Sequence, residues 1–326
     1  MKSYTVTSEV LTEYKHWALS RKILHEIFAS LSSKAKRSQV KAGLENTLMN
    51  LLFTHQTSGA DLFMKTDTDT ITSGFGYADL RLNPEEAEDC LRLIKNTFSN
   101  TTESVTGPEI VKVSSDAFEA GDFKLERNQY IDKAFNFVRS KTDEETAANA
   151  VLRSALRYAS IYAETRHIGP PQEVYDLFYD WGIRNEGFAS PFNARVLGKP
   201  EAKFYSLFKD TDEIFGSAGS FFNLDKPQNP GHWCLDPPFT KELMTSVDSI
   251  LKDWLATYTD LSVLLIIPES HTPANRPDET VTLKKGIHYY EGLEGVLKAL
   301  PVNVCIHRYG NLEGFSAEAI LRGYSK

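Results

Sequence analysis

The stretch that most restricts this chain is His232-Trp233-Cys234-Leu235-Asp236-Pro237-Pro238-Phe239. A short apolar run reads as a strand, and two consecutive prolines end it, because neither has an N–H to give to a sheet ladder. Such a strand needs neighbours, and the sequence from about residue 170 supplies them. Val174, Leu177, Phe178 and Trp181 recur at helical spacing, with Gly182 placed as a C-cap. Residues 186–193 and 203–208 read as strands and strand ends. Leu243, Val247, Ile250, Leu251, Trp254 and Leu255 mark a second amphipathic helix. Residues 261–267 form a buried strand by length and branching, stopped by Pro268-Glu269. Residues 296–300 suggest a helix and 302–306 a closing strand. Strands alternating with helices predict an α/β fold with a mostly parallel, doubly wound sheet, in which ligands bind beyond the carboxyl ends of the strands. The 188–193, 210–212 and 216–219 turns and the Asp236 loop all fall at such ends.

The first 150 residues read differently. Trp17, Leu19, Ile23, Leu24, Ile27 and Phe28 recur at helical spacing, as do Val40, Leu44, Leu48, Leu51 and Leu52. Residues 57–77, rich in Thr, Ser, Gly and Asp, read as a long loop or an irregular hairpin. Pro84 opens a Glu-rich helix, and 135–163 reads as one or two more.

Composition sets limits on the function. With 41% hydrophobic and 25% charged residues, the 326-residue chain reads as soluble and globular. No apolar run is long enough to span a bilayer, and no signal-peptide core follows Met1, so the nucleus or cytoplasm is expected. Cys90, Cys234 and Cys305 are odd in number and lack metal-ligand spacing, which suggests a reducing compartment and no disulfide framework; His271 and His307 show no metal-ligand spacing either, so no metal is expected. The net charge of −8 is unhelpful for gripping nucleic acid, although residues 1–60 carry eight Lys/Arg against four Asp/Glu. The excess around Lys34, Lys36, Arg37 and Lys41 is read first as a solvated helix face.

The Asp-Pro-Pro-Phe corner resembles the active-site loop of S-adenosylmethionine-dependent amino methyltransferases, in particular those acting on adenine N6. The chemistry suits those residues. An exocyclic adenine amine is a poor nucleophile, because its lone pair is delocalised into the ring. The Asp236 side chain and the Pro237 carbonyl, accepting from its two N–H groups, hold it in line for a methyl group and offset the charge that grows on nitrogen. Pro237 and Pro238 stiffen the corner, and Phe239 stacks on the base.

The resemblance sharpens over a series of blocks: Arg157-Tyr158; Phe188-Ala189-Ser190-Pro191 with Asn193; Asp210-Thr211-Asp212; Phe215-Gly216-Ser217 with Gly219; Pro237-Pro238-Phe239 with Glu242-Leu243-Met244; Ile267-Pro268-Glu269; and His288-Tyr289. In order and rough spacing the chain is similar to the cap-specific adenosine N6-methyltransferases related to the phosphorylated-CTD-interacting factor. That resemblance implies a Rossmann-like methyltransferase domain over 156–326, preceded by a mostly helical domain over 1–155. It implies S-adenosylmethionine as cofactor and the 5′ end of capped mRNA as partner, with transfer to the adenosine beside the 7-methylguanosine cap. Phe188, Ala189, Ser190, Pro191 and Asn193, with Phe215, Gly216, Ser217 and Gly219, then line the cofactor pocket. Asp212 or Asp210 meets the ribose, and Pro268, Glu269, His288 and Tyr289 lie towards the substrate. Two departures stand out. The family has Asn where this chain has Asp236, and no WW module is read ahead of the helical region. Two other readings stay open: an adenine N6-methyltransferase for internal RNA or DNA, and an inactive RNA-binding subunit that keeps the fold.

Overall fold

A computed structural model describes residues 1–55, 59–101, 105–163, 167–227, 231–293 and 295–325. The chain is mixed α/β and divides into two compact units, Met1–Arg127 with Val138–Thr165, and Asn128–Phe137 with Arg166–Lys326.

In the first unit, β1 (Lys2–Thr5) leads into α1 (Ser8–Leu31), whose first turn is capped by Thr7 accepting from the Val10 N–H. Helices α2 (Arg37–His55), α3 (Ala60–Met64), α4 (Thr68–Tyr77) and α5 (Pro84–Thr101) follow. Strands β2 (Ile110–Val113), β3 (Ala117–Ala120) and β4 (Phe123–Glu126) then fold as an antiparallel meander that β1 extends, in the order β1-β2-β3-β4. Helix α6 (Gln129–Arg139) gives most of its length to the second unit. Helix α7 (Glu144–Ser160) returns to the first and packs along α1. There the buried Arg157 grips Glu13 through two charge-assisted bonds, Nε to Oε2 at 2.7 Å and the Nη2 group to Oε1.

The expected loop or hairpin over 57–77 is instead mostly helical, as α3 and α4 joined by a short turn at 65–67; residues 57 and 58 lie outside the described residues. Asp67 caps α4 by accepting from Thr70 N at 2.8 Å, and the Thr70 hydroxyl accepts from Asp67 N at 3.1 Å. This reciprocal box makes polar residues start a helix rather than a turn. Ile71, Gly74 and Phe75 give that helix a buried face, packed on α2. The basic excess near its start is partly spent locally, since Lys34 pairs with Glu86 and Arg37 lies over the Phe28 ring.

The second unit is built on a six-stranded sheet. Helix α8 (Gln172–Asp180) ends at Gly182, whose φ of +95° admits the left-handed turn. Then come β5 (Asn185–Glu186), β6 (Lys203–Phe204), the short α9 (Lys209–Asp212), β7 (His232–Leu235), α10 (Lys241–Thr257) and β8 (Ser262–Pro268). Strand β9 (Glu279–Leu283), the hairpin β10 (Tyr289–Glu291) and β11 (Leu297–Ala299), β12 (Val304–Tyr309) and α11 (Ala317–Gly323) complete it. The expected helix over 296–300 is therefore strand β11. Its five-residue apolar run is too short for periodicity to decide, and pairing with β10 decides it.

The sheet order is β6-β5-β7-β8-β12-β9. Strands β6, β5, β7 and β8 are parallel; β12 runs antiparallel to both β8 and β9, so β9 points the same way as the first four. The chain leaves β5 for β6 and then crosses back past β5 to reach β7. This reversal opens a crevice between β5 and β7 at their carboxyl ends. All seven residues of β8 are buried. Side chains alternate between faces: Trp233, Leu235, Val263, Leu265 and Ile267 pack with Val247, Leu251 and Trp254 of α10 into one core cluster.

Candidate functional site at the β5–β7 crevice

Glu186 and Asp236 mark the two sides of the crevice. Glu186 is the last residue of β5 and pairs in register with Cys234 of β7. Parallel pairing puts both side chains on one face, and Asp236, two residues beyond Cys234, continues that face. Glu186 is buried and Asp236 half-buried. Burial pushes the Glu186 carboxyl up to about 7, against the Val196 N–H that it accepts at 3.1 Å and the cations of Arg195 and Lys133. Burial, and then the Glu186 carboxyl, push Asp236 up to about 8, while a hydrogen bond from Tyr290 works the other way.

The proline corner is formed as its sequence requires. Pro238 O accepts from Thr240 N at 2.8 Å, closing the turn one residue before α10. Among the described residues no group donates to the Pro237 carbonyl. Phe239 is half-buried and packs against the Trp233–Leu265 cluster. The corner thus carries its acid to one face of the strand edge and its aromatic to the other.

The turns after β5 and β6 are brought together. Ala189 N donates to Tyr205 O at 2.8 Å and Ser206 N to Gly219 O at 2.9 Å, so the residues just beyond β6 join both turns. The polar side chains of these turns are largely spent inside them. Asn193 Oδ1 accepts from Ser190 N at 2.6 Å and from Ser190 Oγ at 3.1 Å, and His167 Nδ1 lies 2.8 Å from the same hydroxyl. Burial holds His167 down at about 4, so its ring is neutral. Ser217 Oγ meets Ser206 Oγ at 2.6 Å and accepts from Gly219 N at 3.1 Å. Gly216 and Gly219 both have φ of +91°, which explains glycine at those positions. Pro191 and Phe215 are buried, and the Phe215 ring meets Phe192 at 6.3 Å. Phe188 stands apart: it is half-buried, touches Phe221 at 5.1 Å and Phe222 at 5.7 Å, and packs on the same cluster as Phe239. Two motifs separated by fifty residues of sequence therefore place aromatic rings on one apolar base.

Other expected residues have contacts outside the crevice. Asp212 is fully buried in α9, where Oδ1 accepts from the Thr211 hydroxyl at 2.9 Å, and Asp210 is exposed. Pro268 is buried opposite Val304, and the exposed Glu269 accepts from Asn303 Nδ2 at 2.7 Å. His288 is buried and its Nδ1 accepts from Lys284 N at 2.8 Å. Tyr289 is half-buried, and its N–H donates to Tyr324 O at 2.8 Å. The next residue, Tyr290, is the one that reaches Asp236, its hydroxyl 3.4 Å from Oδ1. Sequence reasoning passed over Tyr290, Glu186 and His167.

The described residues hold no cluster of three or more His, Cys, Asp or Glu suited to a metal ion, and no helix long and apolar enough to cross a membrane. Fold and site together define a mixed α/β protein with one buried and one half-buried carboxyl, and an aromatic base, at the reversal point of its sheet. The comparisons point to a more particular similarity. Residues 132–285 match a family model described as the phosphorylated CTD interacting factor 1 WW domain. The stretch similar to that family runs from within α6 to just past β9, and so contains the crevice, both turns and the proline corner. No curated protein matches the chain.

Proposed function

We propose that this chain is an S-adenosylmethionine-dependent methyltransferase acting on N6 of adenine, in RNA whose first nucleotide is an adenosine beside a 7-methylguanosine cap. The observation that carries the reading is the corner at the end of β7. It offers a carboxyl and a carbonyl to which no described group donates on consecutive residues, Asp236 and Pro237, followed two residues on by the half-buried ring of Phe239. Two acceptors side by side match the two N–H groups of an exocyclic amine. Similarity to the phosphorylated-CTD-interacting-factor family over the same residues supports it.

The residues fit such a cofactor. The crevice lies where doubly wound sheets take nucleotides. Glu186 at its β5 side is an acid for an ammonium group, and Phe188 is an aromatic wall for a flat base or a sulfonium. When bound, S-adenosylmethionine supplies an electrophilic methyl on sulfur. The protein's part is to hold the amine. Asp236 and the Pro237 carbonyl pull on the two N–H bonds and turn the nitrogen lone pair out of conjugation. Phe239 holds the ring plane by stacking. As the nitrogen becomes positive, the Asp236 carboxylate stabilises it in a site with little water to screen the interaction, where a fixed charge has most effect. The net charge of −8 favours a short, local RNA end over a long duplex.

The test is to incubate the protein with S-adenosylmethionine and one of three substrates: RNA capped with 7-methylguanosine and starting with adenosine, the same RNA uncapped, or adenine-containing DNA. Nucleoside mass spectrometry then reads N6-methyladenosine. Product on capped RNA alone is the expected result. Equal product on uncapped RNA or DNA sinks the cap assignment and keeps the chemistry. No product on any, with no heat of S-adenosylmethionine binding by calorimetry, sinks the enzyme reading and favours an inactive binding subunit.

A further inference from the structure

The contact between β10 and the proline corner gives the acid a partner that the chemistry above leaves unused. We propose that Tyr290 is a positioning residue for methyl transfer: its hydroxyl holds Oδ1 of Asp236 and leaves Oδ2 to accept from the substrate amine. This rests on the adenine-N6 reading and adds to it the group that aims the acid.

Tyr290 is well placed to act as a fixed donor. It is 5% exposed, and its ring lies 5.9 Å from that of Tyr324 at an interplanar angle of 34°. The strand that carries it is tied on both sides. Glu291 exchanges two backbone hydrogen bonds with Gly169, at 2.9 and 3.1 Å, and Tyr289 N donates to Tyr324 O at 2.8 Å. Such anchoring leaves the phenol little freedom, so Asp236 is what must settle against it.

Among the described residues, the titratable groups that interact with Asp236 are Glu186 from β5, Cys234 from β7, Tyr175 from α8, Tyr290 from β10 and Tyr324 beyond α11. Burial pushes Cys234 and all three phenols well above their ordinary values, so each stays protonated. Glu186 favours a neutral Asp236, and among the described residues Tyr290 donates to it. A protonated phenol on one carboxylate oxygen does two things. It fixes rotation about the Cβ–Cγ bond, and it favours the charged form that accepts from an amine. At 3.4 Å the contact is longer than an ordinary O–H···O bond. Catalytic hydrogen bonds of this kind tighten when substrate arrives.

The test compares wild type with Tyr290→Phe, both as the full chain, on capped RNA starting with adenosine between pH 6.5 and 9.5. The expected result is a loss of about tenfold in kcat at pH 7, the scale of a hydrogen bond to a charged group. The loss shrinks as pH rises, and KM for S-adenosylmethionine stays unchanged. A loss by one factor at every pH indicates a packing role and overturns the proposal, as does no loss at all. A second readout needs no turnover: the carboxyl carbon of Asp236, followed by NMR in ¹³C-labelled protein, titrates at higher pH in Tyr290→Phe than in wild type. Coincident titrations overturn the contact even if activity falls. A shifted titration in a protein that methylates no adenine keeps the Tyr290–Asp236 contact and places the error in the reading of the substrate.

Discussion

Asp236 carries the sharpest expectation at the scale of single residues. Its carboxyl is pushed up to about 8, chiefly by burial, so a reaction that needs its carboxylate gains rate as pH rises and levels off above that value. kcat/KM measured from pH 6 to 9.5 tests this, because it reports the free enzyme. Asp236→Asn keeps an acceptor oxygen but loses the charge. Its profile flattens across the same range, with kcat lowered roughly 10²-fold at pH 9, the scale seen when one stabilising group is removed. A wild-type profile flat through pH 8 contradicts the assignment. Glu186 gives a stability counterpart. Its folded value, raised to about 7, lies above its ordinary 4.5. The folded state therefore keeps its full stability below about 4.5 and loses it as pH rises through 7, by on the order of 3 kcal/mol. Glu186→Gln escapes that loss, so its melting temperature relative to wild type improves from pH 5 to pH 8; a constant difference refutes it. Asp236 to Phe239 were legible in the sequence because proline chemistry is local. Tyr290 was not, because nothing in the order of residues says that β10 ends up beside β7.

Among the elements, the pair α2 and α4 shows why the sequence was misread and offers a clean test. A segment of Thr, Ser, Gly and Asp looked like a loop, yet Gly74 is there for contact. A Cβ on it would lie 2.1 Å from Thr47 Oγ1 and 2.8 Å from Gly43 O. Gly43 answers from α2, where an added Cβ would lie 2.7 Å from the Phe75 ring. These glycines let two helices approach, a role that composition alone cannot distinguish from turn formation. Gly74→Ala is expected to destabilise the protein by about 1–3 kcal/mol or more through overpacking. Gly76→Ala, two residues on in the same helix with nothing within 4 Å of its added Cβ, is expected to stabilise by up to about 1 kcal/mol through helix propensity. Urea melts of both variants decide it, and equal effects would contradict the close approach. The hydrophobic periodicities of α1, α8 and α10 were readable in advance because each has one wet and one dry face. The β2–β4 meander was not, since four-residue strands carry too little pattern.

For the whole molecule, the three cysteines are free and buried. Burial pushes the Cys90 thiol up to about 12 and raises Cys234 and Cys305, so the reactive thiolate is scarce. Folded protein should react slowly with an aromatic disulfide reagent, and unfolded protein should release three equivalents at once. Reductant should leave the melting temperature unchanged. Fast reaction of folded protein would show that one thiol is more open than described. The mixed α/β character of the second unit was legible from alternating strands and helices, but the place of its last strand was not, because strand order is a property of space. Strand β12 follows β9 in the chain, yet it lies between β9 and β8. On the ribosome, β8 and β9 emerge with their facing edges unpaired, and neither can pair with the other while a gap is kept for a strand not yet made. The sheet closes only after residue 309 has left the exit tunnel, which makes its completion a late, non-local event. A nascent chain stalled before residue 304 would present two bare strand edges, one of them that of β8, buried throughout in the finished fold, as a natural client for a chaperone.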